Sequence, residues 1–149
     1  MDSSAALRKY SLFGGLLEEQ IDQIIPRMVK EKYNAGDTIL VEGASNDKIH
    51  FLAEGVVAVI KENTLLCELS EGNTFGEMEV LDVMASSATI KAVTDVTVMS
   101  MSNKTLREIY KDDIKTFSLL VMNLARDLSR RIRFANEKIT GGNDWSYRL

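Results

Sequence analysis

The sequence predicts a mainly β protein with flanking α-helices, its strands closed into a jelly roll, also described as a double-stranded β-helix. Three observations predict it. Short β-branched runs follow one another between residues 38 and 101, turn-forming clusters separate them, and helical periodicity is confined to the two ends. An open sheet of so many short strands would leave exposed edges, which closure removes.

Leu16, Leu17, Ile21, Ile24 and Ile25 recur at helical spacing among Glu18, Glu19, Gln20, Asp22 and Gln23, predicting an amphipathic helix near 15–25 that ends at Pro26, the sole proline. Strands are expected at Thr38–Val41, Ile49–Leu52, Val56–Ile60 and Leu65–Leu69. The clusters Asn34-Ala35-Gly36-Asp37, Glu42–Asp47, Glu54-Gly55 and Lys61-Glu62-Asn63 supply residues that accept tight or positive-φ turns. Phe75–Leu81 suits one helical turn, and two further strands follow at Thr89–Val93 and Val96–Met101. Ser102-Asn103 then caps a helix containing Leu106, Ile109 and Tyr110, and Asp112-Asp113 precedes a long helix from about Ile114 to Ile139. The expected organisation is one domain over residues 1–140, with an N-terminal helix, a β-roll over 29–101 and C-terminal helices over 103–139, and a flexible tail over 141–149.

Composition narrows the function. The chain has 149 residues, 45% of them hydrophobic, enough for one core without metal or disulfide support. A net charge of −4 argues against a nucleic-acid groove. The lone Cys67 excludes an internal disulfide, and Met1-Asp2-Ser3-Ser4 lacks the pattern of a secretory signal, so a reducing, cytoplasmic setting is expected. No apolar run approaches the roughly 20 residues that cross a bilayer, so no membrane partner is expected. Enzyme chemistry has little to rest on: His50 and Cys67, each the only one of its kind, fall in separate strands without a nucleophile–base partner. One histidine cannot complete a metal centre, so no metal and no cofactor are expected.

The segment Gly72-Asn73-Thr74-Phe75-Gly76-Glu77-Met78-Glu79-Val80-Leu81, followed by Ser86-Ser87-Ala88-Thr89-Ile90-Lys91-Ala92, resembles the phosphate-binding cassette of the cyclic-nucleotide-binding domain family. Gly36-Asp37-Thr38-Ile39, the Glu42-Gly43 turn and the stretch Ile49 to Gly55 resemble that family's glycine-marked strands, and with the flanking helices the resemblance runs from about Leu12 to Ile139. It implies a regulatory, signal-transducing module whose ligand is cyclic AMP or cyclic GMP, with Phe75, Gly76, Glu77, Met78, Ser86, Ser87 and Ala88 as ligand-binding residues.

The cassette's logic is physical. A helical turn presents free backbone N–H groups to a phosphate oxygen, a glycine permits close approach, and a carboxylate accepts from the ribose 2′-hydroxyl. The family adds an arginine whose guanidinium forks onto the phosphate. Matching Phe75-Gly76-Glu77 and Ala88-Thr89-Ile90 to the family pattern puts Ser86 in the arginine's place and Ala85 where proline is common. Glu79 adds a carboxylate nearby, so cyclic-nucleotide binding is expected to be weak, or the site to take another small anion. The alternative is a domain that binds no nucleotide and serves dimerisation or protein contact.

Phe117, Leu120, Val121, Leu124, Leu128, Ile132, Ala135 and Ile139 form a stripe along the last helix, which resembles the dimer helix of the catabolite-activator branch and implies a homodimer through residues 114–139. In that branch hydroxyl side chains reach the purine from the place occupied here by Ala135-Asn136, which makes Asn136 a candidate adenine contact. Arg126, Arg130 and Arg133 share a face expected to be solvated. With no helix-turn-helix segment following, direct DNA binding is not expected. Trp145 and Tyr147 in the tail are candidates to close over a base.

Overall fold

The computed structural model describes residues 4–77 and 85–139. The roll begins earlier than its β-branched runs suggest. Its strands are β1 (Val29–Tyr33), β2 (Thr38–Leu40), β3 (Lys48–Glu54), β4 (Val57–Lys61), β5 (Thr64–Leu69), β6 (Thr74–Phe75), β7 (Thr89–Ala92) and β8 (Val96–Ser102). They form two four-stranded antiparallel sheets, ordered β1-β8-β3-β6 and β2-β7-β4-β5. This is the jelly roll with flanking helices that the turn punctuation predicts. β1 escapes the β-branched criterion because three of its five residues are Lys30, Glu31 and Lys32, a composition suited to an edge strand.

Before the roll come α1 (Ser4–Leu7), a 3-10 turn at Ser11–Phe13, α2 (Glu18–Ile24) and a second 3-10 turn at Ile25–Arg27; after it come α3 (Asn103–Asp112) and α4 (Ile114–Ile139). α2 starts three residues later than its apolar spacing suggests, because the Gln20 side chain accepts from the Leu17 N–H and fixes the first turn there. The Ser102 hydroxyl accepts from the Thr105 N–H at 3.1 Å, and the Asp113 carboxylate takes the Thr116 N–H at 3.1 Å and the Thr116 hydroxyl at 2.6 Å. Both predicted caps are therefore present. No helix among the described residues is long and apolar enough to cross a membrane.

β3 and β8 lie between two cores and use both faces of the pleat. Ile49 and Phe51 with Met99 and Met101 face the helices, where Phe13, Leu16, Ile21, Ile24, Leu106, Ile109, Leu120 and Leu124 complete one apolar cluster. Leu52 with Val96 and Val98 faces into the roll, where Val57, Phe75, Ile90 and Ala92 complete the other. The period-2 reversal of side chains thus ties the helical layer to the roll through shared strands.

α4 is held on the helical side by a buried polar residue. Asn123 Nδ2 donates to the carbonyl oxygens of Leu12 and Gly14, each at 2.9 Å, and the Ser11 hydroxyl donates to the Asp127 carboxylate. Beyond Asp127 the helix continues across the open side of the roll, where Lys138 Nζ donates to the Leu66 carbonyl at 3.3 Å. The predicted apolar stripe therefore divides: Leu120 and Leu124 are buried, whereas Ile132, Ala135 and Ile139 are exposed, because the face turned to the roll there carries Arg131 and Lys138.

Candidate functional site

The site grows from the β6–β3 pairing. Phe75 lies opposite His50, and their rings stack at 4.8 Å with an interplanar angle of 7°. Phe75 ends a strand whose partner is already in the roll; of the helical turn expected over Phe75–Leu81, Glu77 is helical and the residues from Met78 lie outside the described ones. Gly76 then adopts φ +79°, and a methyl group on it would lie 2.8 Å from Asn46 Nδ2, 2.9 Å from His50 Nδ1 and 3.0 Å from the Lys48 carbonyl oxygen. A side chain is excluded both by the left-handed backbone and by these neighbours. The close approach at Gly76 is thus to the protein's own β3 side, where Asn46 Nδ2 also donates to the Gly76 carbonyl at 3.0 Å.

This turn delivers Glu77 to the foot of a cleft with only 1% of its surface exposed. Arg131 reaches it from α4: Nη1 donates to Glu77 Oε1, and Nη2 donates to the carbonyl oxygen of Thr74 and, at 3.2 Å, to its hydroxyl. Glu77 Oε2 has no hydrogen-bond partner among the described residues. The cleft measures about 260 Å³, at the small end for a ligand site. Leu40, Val59, Leu69, Phe75 and Ile90 form its apolar wall, with Lys61, Cys67, Glu77, Ser87 and Arg131 as polar lining.

The exit from the cassette is pinned by backbone bonds. Gly43 N–H donates to the Ser86 carbonyl, Ser86 N–H donates to the Ala44 carbonyl, both at 2.8 Å, and Glu42 N–H donates to the Thr89 hydroxyl at 3.0 Å. Ser86 is 4% exposed, its hydroxyl has no partner among the described residues, and it is absent from the cleft lining, whereas Ser87 and Ala88 line the cleft. The residue in the arginine's place is therefore buried and not part of the described lining.

Of the sequence-predicted residues, the structure brings Phe75, Gly76, Glu77, Ser87 and Ala88 together around the cleft. Asn136 lies on an exposed turn of α4 and is not in the lining. Met78 lies outside the described residues, as do Glu79, Trp145 and Tyr147. Arg130 pairs with Asp127 at 2.7 Å on the solvated face, as expected of that row. Arg131 and Lys61 were missed. The signal for Arg131 was its place seven residues after Leu124 on a predicted helix, which returns it to the buried face, where a cation needs a partner.

His50 sits beneath the cassette, 4% exposed, with Nδ1 unpartnered among the described residues. Burial, reinforced by the Lys48 ammonium, pushes its imidazole down from 6.5 to about 4. It is a neutral packing partner of Phe75 at ordinary pH.

The fold has counterparts among solved structures. The domain from Methylobacillus flagellatus solved as a cyclic nucleotide-binding domain superposes with a TM-score of 0.86 at 22% identity, over 93% of this chain and 81% of that one. The Thermus thermophilus catabolite activator protein gives 0.76 at 27% identity, over 87% of this chain and 62% of that one. In sequence, the cyclic AMP receptor protein of Thermus thermophilus is 31% identical over 130 residues, 84% of this chain and 58% of the relative. Mouse cGMP-dependent protein kinase 2 is 26% identical over 135 residues, 91% of this chain and 18% of the kinase. The chain thus spans less than two thirds of either relative. The family model described as the cyclic nucleotide-binding domain matches residues 30–113, from β1 through α3. With two four-stranded sheets, a cassette-like turn at Gly76-Glu77 and this match over more than half its length, the chain belongs to the cyclic nucleotide-binding domain family.

Proposed function

We propose that this chain is a non-enzymatic regulatory module that binds a small anionic ligand in the cleft between the roll and α4, and signals through that helix. The observation that carries this reading is the Arg131–Glu77 contact, which joins the cassette carboxylate to the last helix, so that a ligand competing for Glu77 also acts on α4. Cyclic AMP and cyclic GMP are the ligands proposed, held weakly because no arginine emerges from the cassette at Ser86. The module acts as a homodimer through the helix 114–139, a reading supported by exposed Ile132 and Ile139 seven residues apart on its far half. The free Cys67 and the net charge of −4 fit a reducing cytoplasm without direct DNA contact. Residues 1–140 form the working unit in this proposal.

Calorimetric titration with cyclic AMP and cyclic GMP tests it. Saturable binding in the micromolar to millimolar range supports the sensor. Silence with both, accompanied by a stable dimer, favours the second reading, a nucleotide-free interaction module, for which the burial of Ser86 outside the cleft lining is the specific observation.

A further inference from the structure

The positive charge missing from the cassette has a counterpart on the neighbouring sheet. Lys61 ends β4, and the β4–β7 register sets Ile60 opposite Thr89, which places Lys61 beside the chain leaving the cassette. Its Nζ donates to the Ser87 carbonyl oxygen at 2.9 Å and stands 3.8 Å from a Glu42 carboxylate oxygen, beyond hydrogen-bond reach. Lys61, Ser87, Glu77 and Arg131 line the same cleft.

Resting on the reading of this cleft as a ligand site, we propose that Lys61 holds the ligand's anionic group, a cation supplied by β4 in place of the arginine absent at Ser86. Three observations carry it. Arg131 is anchored by three hydrogen bonds to Glu77 and Thr74, whereas the Lys61 ammonium makes one hydrogen bond among the described residues and can turn its other two donors to a ligand. The described lining holds two cations against the single carboxylate of Glu77, and the Glu42 carboxylate that pairs with Lys61 at 3.8 Å lies outside it, so the charge facing the cleft from β4 is positive. The remaining wall, Leu40, Val59, Leu69, Phe75 and Ile90, is apolar and suits a flat, neutral body attached to that one charge.

The substitution changes selectivity as well as strength. A guanidinium fork matches two phosphate oxygens at fixed geometry, whereas an ammonium on a flexible stem is a point charge that accepts differently shaped anions. The ligand class is therefore a nucleoside monophosphate in which the cyclic ester is favoured only modestly over the open one.

The test is calorimetry with cyclic AMP, AMP and uncharged adenosine on the wild type, Lys61→Gln and Lys61→Arg. The wild type is expected to bind both phosphates more tightly than adenosine and within about tenfold of each other. Lys61→Gln is expected to lose about tenfold or more in phosphate affinity, with adenosine unchanged, and Lys61→Arg to retain phosphate binding. Unchanged melting temperatures confirm that the variants are folded. Equal binding of adenosine and cyclic AMP by the wild type, or full phosphate affinity in Lys61→Gln, overturns the role of Lys61 and leaves the ligand site standing. Silence of the wild type with all three probes overturns the ligand reading and the role of Lys61 together.

Discussion

Arg131, on the last helix, donates to the carboxylate of Glu77 at the foot of the roll, so the cassette and the final element of the fold share one ion pair. Glu77 is buried and Arg131 is partly exposed, an asymmetry that makes the carboxylate the dependent partner. Removing the arginine leaves a buried charge unmatched, while removing both leaves only a polar amide.

Arg131→Ala is accordingly expected to destabilise the fold by about 2–3 kcal/mol, with the partly exposed guanidinium keeping the loss at or below the lower end for buried pairs. Adding Glu77→Gln to that variant should recover about 1 kcal/mol or more. Urea denaturation of the four proteins in the double-mutant cycle measures this coupling. Strictly additive effects would show that the contact carries no energy.

The stability of the fold should fall between about pH 6.5 and pH 4. His50 is held neutral in the folded state, with its imidazole pushed down to about 4, while the unfolded chain takes up a proton near 6.5. Below 6.5 the unfolded state therefore binds more protons, and stability drops with falling pH until about 4, by roughly 3 kcal/mol at most. Urea midpoints across this window, compared between wild type and His50→Phe, isolate that share from the carboxylates. Parallel profiles for the two proteins would contradict it.

Ser86 stands in the arginine's place, yet Ser86→Arg is not expected to strengthen cyclic-nucleotide binding. Ser86 is buried, absent from the cleft lining and pinned on both backbone groups by Gly43 and Ala44. The variant should lose about 2 kcal/mol or more of stability and gain no affinity for cyclic AMP. Thermal melts and calorimetry together decide it. A tighter-binding variant of unchanged stability would show that the arginine finds the cleft.

Ile132 and Ile139 are the exposed continuation of a stripe whose first half, Leu120 and Leu124, is buried. Ile132→Glu combined with Ile139→Glu should convert a dimer to a monomer in light scattering, with the melting of the roll preserved. A wild-type protein that scatters as a monomer at high concentration would remove this role from the helix.

The architecture was legible because it rests on punctuation and period. The Gly36, Gly43, Gly55 and Gly72 turns all have positive φ, and the alternation on β3 and β8 divides the two cores as strand geometry requires. Gly55 is the sharpest instance: a methyl group there would lie 2.4 Å from the Asp95 carbonyl oxygen. Less legible was anything that depends on where distant elements cross. Asn123, a polar residue between Val121 and Leu124 of the apolar stripe, holds the carbonyls of Leu12 and Gly14. Lys61 read as a turn residue after a strand, and only the β4–β7 pairing sets it against Ser87. Ser86 and Ser87 are adjacent hydroxyls in sequence, and only the fold separates them, Ser86 buried between the backbone bonds to Gly43 and Ala44 and Ser87 in the cleft lining.

Amide hydrogen exchange across residues 114–139, with and without saturating cyclic AMP, tests most directly whether the cleft and α4 act as one unit. The wild type should show slowed exchange on the turns around Arg131 when cyclic AMP is present, and Arg131→Gln should not. Exchange in this helix that is the same with and without the nucleotide would contradict the account.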